Sequence, residues 1–148
     1  MIKILPVSEN DAVHILPLIQ EYFPYFHMDL EKLVRRIHSS QYWCYKSVEK
    51  EQITGYAEWE IVNEKNKIIR LNGIAVFPRF HGKGFASALL KRGEEDARSR
   101  GMKKLTLIVG ENNQPARELY RKMGFEFVRP NLEKIDGQKA EVWEKNLN

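Results

Sequence analysis

The sequence predicts an α/β domain built on a mixed sheet, and three observations carry that prediction. β-branched and aromatic runs from Tyr42 to Val76 are punctuated by short polar turns. Helical periodicity brackets this region on both sides. Leu105 to Val109 is a continuous apolar segment between two helical ones, the mark of a buried strand paired in parallel. With 148 residues and 43% hydrophobic content, residues 1–148 have enough material for one core, and a single domain is expected.

In chain order, Ile2 to Val7 reads as a strand, and Ser8 followed by Asp11 resembles a capping box opening a helix. That helix carries Ala12, Ile15, Leu16 and Ile19 on one face, with Pro17 and Pro24 expected to disturb it. A second helix begins near Asp29, because Leu30, Leu33, Val34 and Ile37 recur at helical spacing. Tyr42 to Val48, Ile53 to Val62 and Ile68 to Val76 read as three antiparallel strands. The polar segments Glu49 to Gln52 and Asn63 to Lys67 are short enough for hairpins. After Pro78 a helix shows Ala86, Leu89, Leu90, Gly93 and Ala97 on one side until Gly101 stops it. Pro115 opens a helix with Ala116, Leu119, Tyr120 and Met123 together, ended by Gly124. Strands over Glu126 to Arg129 and Ala140 to Leu147 close the chain around Asp136-Gly137.

Lys and Arg exceed Asp and Glu by 24 to 20, a formal +4 spread without a block of like charge. This suits an anionic ligand, and without a basic stripe interleaved with aromatics it gives no reason to expect nucleic acid as a partner. Cys44, the single cysteine, has no internal disulfide partner and sits among Tyr42, Trp43 and Tyr45 as a buried strand residue would. No apolar run approaches the roughly 20 residues that span a bilayer. A cytoplasmic protein without a membrane partner is the expectation.

The stretch Ile74-Ala75-Val76-Phe77-Pro78-Arg79-Phe80-His81-Gly82-Lys83-Gly84-Phe85-Ala86 carries a strand through a glycine-containing loop into a helix. Such a loop offers backbone N–H groups to a phosphate, and the positive end of the helix dipole adds attraction. Two glycines before a helix are also an ordinary turn. The spacing is neither a Walker loop nor the three-glycine dinucleotide fingerprint.

These residues resemble the GNAT superfamily of N-acetyltransferases, whose coenzyme A loop has the form Gln/Arg-x-x-Gly-x-Gly/Ala after a Val-x-Pro segment. Val76-Phe77-Pro78 supplies the approach and His81-Gly82-Lys83-Gly84-Phe85-Ala86 the loop, with His81 where Gln or Arg is usual. Downstream, Asn113-Gln114-Pro115-Ala116-Arg117-Glu118-Leu119-Tyr120-Arg121-Lys122-Met123-Gly124-Phe125 is similar to the family's Asn-x-x-Ala-x-x-Leu-Tyr-x-x-x-Gly-Phe segment. The resemblance extends from Leu71 to Phe125.

The resemblance implies a GNAT-like mixed central sheet, flanked by helices, in which the parallel strands around Leu71 to Val76 and Leu105 to Val109 splay apart. It also implies acetyl-coenzyme A as co-substrate and no metal. Its pantetheine arm would pair with backbone groups of Ile74 and Val76 on the segment Ile74-Ala75-Val76. His81, Gly82, Lys83, Gly84, Phe85 and Ala86 would hold the pyrophosphate, and Asn113, Ala116 and Tyr120 would bound the other side. A bulge near Gly73 would turn backbone N–H groups toward the thioester carbonyl as an oxyanion hole.

Tyr120 has a plain reading as a core residue beside Ala116 and Met123; the resemblance makes it the acid that protonates the departing thiolate. The chemistry is reasonable, since a thiol of pKa about 8.5 needs little help from a phenol of about 10. Family members often carry a Glu where Arg70 stands. Glu58 and Glu60, one strand earlier, share a face, and each is either a solvent-facing carboxylate or the base that takes the amine's proton. Asn72 and His27 are further acceptor-side candidates, and Tyr22, Phe23, Tyr25 and Phe26 are either pocket wall or core. The acceptor is a small-molecule amine or a protein amino group, and a homodimer is compatible with the sequence. A non-catalytic coenzyme A-binding sensor is the alternative to an enzyme.

Overall fold

The computed structural model describes residues 1–148. Strand β1 (Lys3–Pro6) leads into a 3₁₀ turn, Glu9–Asp11, that runs straight into helix α1 (Ala12–Tyr22). The Asp11 carboxylate accepts from the Ser8 N–H at 2.8 Å and its hydroxyl at 2.9 Å, so the expected reciprocal cap forms on the 3₁₀ turn. Pro17 lies inside α1 without ending it. The ring removes the bond to the Val13 carbonyl, and both residues are on the exposed side, so that carbonyl is not left in the core. Pro24 opens a second 3₁₀ turn, Pro24–Phe26, before helix α2 (Leu30–His38), whose cap is Asp29 accepting from the Lys32 N–H at 2.7 Å.

Strands β2 (Tyr42–Glu49), β3 (Gln52–Asn63) and β4 (Ile68–Val76) form the expected antiparallel meander. A 3₁₀ turn, Pro78–Phe80, and the glycine loop then delay helix α3 to Phe85–Ser99. Strand β5 (Lys104–Gly110), helix α4 (Gln114–Lys122) and strands β6 (Glu126–Pro130) and β7 (Ala140–Asn146) complete the chain. The seven strands lie in the order β1-β2-β3-β4-β5-β7-β6. β7 therefore inserts between β5 and β6, a pairing that sequence spacing does not specify.

Each face of the sheet buries its own core. Leu89, Leu90 and Ala97 of α3 and Tyr120 of α4 pack against Trp59, Ile69, Leu71 and Leu105. Ala12, Ile15, Leu18 and Ile19 of α1 and Leu33 of α2 pack against Cys44, Tyr56 and Ala75 on the other face. At about 25 cal/mol per Å² of apolar surface removed from water, such burial is the main force holding the helices to the strands.

Two irregularities in β4 shape everything that follows. The parallel pairing with β5 covers only Ile68–Leu71 against Lys104–Leu107, while β4 continues to Val76 and β5 to Gly110. Beyond Leu71 and Leu107 the strands part. Against β3, Glu58 faces Gly73 but Trp59 faces Leu71, so Asn72 is an extra residue, a bulge one position before the expected Gly73. The bulge reverses the strand's alternation: Ile69 and Leu71 face the α3 core before it, Ile74 and Val76 after it.

Candidate active site

Above the split, β4 presents a bare edge. The Phe77 N–H bonds to the Thr54 carbonyl, and Ala75 and Gly73 lie opposite Tyr56 and Glu58 in the same alternation. The N–H and C=O groups of Ile74 and Val76 therefore point away from β3, into the gap left by β5; the His81 ring takes the Val76 carbonyl, and the Val76 N–H and both Ile74 groups have no strand partner. This gap opens into a cavity of about 530 Å³, walled by β4, the glycine loop, the start of α3 and α4.

Of the expected cofactor-binding residues, Ile74, Ala75, Val76, His81, Gly82, Gly84, Phe85, Ala86, Asn113, Ala116 and Tyr120 all line this cavity. Gly82 and Gly84 have φ of 75° and 88°, the left-handed region that side chains rarely adopt. Gly84 is the N-cap of α3 and supplies no side-chain bond, so the first turn leaves its backbone N–H groups free for an anion. Lys83 departs from expectation: it does not line the cavity, and its ammonium lies 5.8 Å from the centre of the ring of Phe80, which does. The Arg79 guanidinium lies 4.9 Å from the same ring, so both cations still flank the loop.

His81 also departs. Its Nε2 is 2.7 Å from the Val76 carbonyl, so the ring donates back to the strand, locking the loop onto β4. Asn113 caps α4, its Oδ1 accepting from the Ala116 N–H at 3.3 Å, which leaves its amide NH₂ available. Tyr120 projects from α4 with its ring 5.9 Å from that of Phe125. Burial, and then the neighbouring Tyr25, push its phenol well above the ordinary value, so it holds its proton across the neutral range.

The two carboxylates have different surroundings. Glu58, read from sequence as a solvent-facing or cleft-facing group, is fully buried on the α1/α2 side. It accepts from Arg36 of α2 at 2.5 Å, Asn72 at 2.7 Å and the Tyr56 hydroxyl at 3.0 Å. Three donors, one a cation, compensate the carboxylate for lost water. With its hydroxyl proton given to Glu58, Tyr56 accepts from the Cys44 thiol at 3.4 Å, and burial pushes that thiol up to about 12. Glu60 is 26% exposed; one of its oxygens takes Asn72 and Arg70, both at 3.1 Å. Arg70 is directly opposite it across the strands, so the missing carboxylate is matched by one on the neighbouring strand.

Sequence reading left the aromatic segment between core and pocket, and it serves both. Tyr22 lines the cavity, while Phe23 covers Gly73 so closely that a Cβ there would come within 2.6 Å of its ring. Phe26 stacks on Phe23 at 4.9 Å. The Arg36 contact to Glu58, from a helix 22 residues earlier, had no sequence signal at all.

A split sheet whose open edge leads to a glycine-lined helix N-terminus has the shape and the donor groups to take an extended, anionic group. Residues 12–125 match the acetyltransferase (GNAT) family, and the chain belongs to that family. It is 38% identical over 63 residues to an uncharacterized N-acetyltransferase of Methanocaldococcus jannaschii, a match covering 43% of this chain and 28% of that protein. It is 36% identical over 72 residues to streptothricin acetyltransferase of Streptomyces lavendulae, covering 49% of this chain and 35% of the relative. In both cases the match spans about a third of the relative's length or less. The fold matches the ribosomal-protein-S18-alanine N-acetyltransferase of Escherichia coli with a TM-score of 0.82 at 22% identity, covering 100% of this chain and 95% of that one. A putative acetyltransferase of Salmonella typhimurium, solved with its cofactor acetyl-CoA, matches with a TM-score of 0.85 at 18% identity over 100% and 95% of the two chains.

Proposed function

We propose that the protein is an N-acetyltransferase that moves an acetyl group from acetyl-coenzyme A to a primary amine by direct attack within a ternary complex. The observation that carries this is the bare edge at Ile74 and Val76, continuous with the open N-terminus of α3 and faced by Tyr120. Family membership and a structural neighbour solved with acetyl-CoA support it.

When bound, acetyl-coenzyme A supplies an activated thioester and a thiolate leaving group. The N–H groups from Gly82 to Ala86 hold the pyrophosphate, with Arg79 and Lys83 adding positive charge nearby. The Ile74 N–H and C=O and the Val76 N–H bind the arm as a neighbouring strand would, and the Asn113 amide closes the far side. Glu60 takes the acceptor's proton through water, because it is partly exposed with one oxygen outside the Asn72 and Arg70 bonds, whereas Glu58 orients Asn72 and Arg36. As the C–N bond forms and the C–S bond breaks, the Tyr120 hydroxyl donates to sulfur and is later reprotonated from solvent. The buried Cys44 points into the α1/α2 core, so direct attack needs no acetyl-enzyme.

The test joins melting curves to turnover. Acetyl-coenzyme A should raise the melting temperature with the logarithm of its concentration, free adenosine far less, and one class in an amine panel should release thiol. An unmoved melting curve at saturating acetyl-coenzyme A would end the proposal, and binding without thiol release would favour the sensor.

A further inference from the structure

We propose that Asn72 is a positioning residue whose carboxamide holds the β4 bulge rigid, so that the backbone beside it is aimed into the cleft before the acetyl group arrives. This rests on the acetyl-transfer reading. Asn72 is the extra residue of the bulge, and its side chain is committed on every side. Its Nδ2 donates to Glu58 at 2.7 Å and to Glu60 at 3.1 Å, and its Oδ1 accepts from the Arg70 Nε at 2.8 Å. The Glu58 end is fixed in turn by Arg36 and Tyr56.

A bulge is ordinarily a soft point, because the extra residue leaves ladder bonds unmade. Here two carboxylates and a guanidinium grip it through one amide. Only an amide fits: it must donate to two anions and accept from a cation within one residue. Phe23 presses on Gly73 from the same face, leaving the main chain little freedom to relax. The bulge is also the point where alternation reverses, so any looseness at Asn72 propagates directly to the edge groups of Ile74. Donors aimed at a developing charge act through pre-organisation, and a small misplacement costs rate more than affinity.

Asn72→Leu keeps the branched shape, with somewhat greater bulk, and deletes all three bonds. The expected result is a loss of kcat of about 10-fold or more, larger than the accompanying loss of acetyl-coenzyme A affinity through Ile74. Preference for acetyl-coenzyme A over coenzyme A, which lacks the thioester carbonyl, should shrink. Amide exchange from Asn72 to Ile74 in the free protein should quicken by about 10-fold or more. Asn72→Ser, which keeps one donor, should be intermediate and guards against a leucine variant that does not fold. Unchanged exchange and unchanged turnover per folded molecule in either variant overturn the proposal. If wild type binds no acetyl-coenzyme A, the acetyl-transfer reading fails, and the exchange comparison still judges the clamp.

Discussion

Replacing Tyr120 with Phe removes one oxygen, and the structure separates its two readings. The ring is buried against Phe125 and keeps that packing in the variant. The hydroxyl faces the cavity, and no protein hydrogen bond contributes to its raised pKa. Deleting it therefore leaves no buried partner unsatisfied, and stability should stay within about 0.5 kcal/mol, or about 1–2 °C for a domain of this size. Turnover is another matter. General acid catalysis contributes about 10²- to 10⁴-fold, and a thiolate of pKa about 8.5 leaves readily, so the lower end applies: about 10² in kcat, equivalent to about 2.7 kcal/mol. Because the phenol's pKa is raised, it remains an acid past pH 10, and the deficit should persist there rather than fade. The assay is thiol release at saturating acetyl-coenzyme A, with melting temperature and cofactor affinity measured on the same preparation. A stable, saturated variant with unchanged kcat would refute the acid role, and a lowered melting temperature with normal turnover would make Tyr120 a core residue.

Gly84→Asp puts a side chain at φ 88° and a negative charge where the pyrophosphate should lie, so acetyl-coenzyme A affinity should fall by about 100-fold or more while the domain still folds; wild-type affinity in calorimetry would remove the loop from the site. Alkaline stability should decline from pH 9 upward. The Cys44 thiol is raised from 9.0 to about 12, so below pH 9 both states hold the proton, and above it only the unfolded state releases it. The contribution is complete below pH 9 and is lost as the pH climbs toward 12, at about 1.4 kcal/mol per pH unit. Buried Tyr45, Tyr56 and Tyr120 add the same sign above 10. Urea midpoints at pH 9 and 10 should fall less for Cys44→Val than for wild type; equal slopes would show the thiol is not responsible.

Periodicity made most of the fold legible, because each strand and helix buries one face and the apolar spacing records which. Ile68 to Val76 and the α3 stripe Leu89, Leu90, Gly93 and Ala97 lie where spacing put them. Pro17 was over-read, since its cost depends on whether the orphaned carbonyl meets water, which spacing does not disclose. The reading of the glycine loop as a cofactor site came from the family resemblance, while its shape was legible, because Gly82 and Gly84 take left-handed φ values that side chains rarely adopt. Side-chain destinations were not: the His81 ring turning back to Val76, Lys83 lying outside the cavity and Arg36 reaching Glu58 are all decided by tertiary contacts. The bulge at Asn72 escaped because a strand with one extra residue reads, letter by letter, like a strand.

The bare edge at Ile74 and Val76 has a consequence for mutagenesis. Recognition written in N–H and C=O groups survives the exchange of one side chain for another, so an alanine scan along β4 would pass over the groups proposed to bind the arm. Proline is the substitution that reads them, because it alone deletes the N–H. On the proposed reading, the grip lies in the backbone of β4 and would outlast side-chain changes elsewhere in the cavity wall, Tyr22 included.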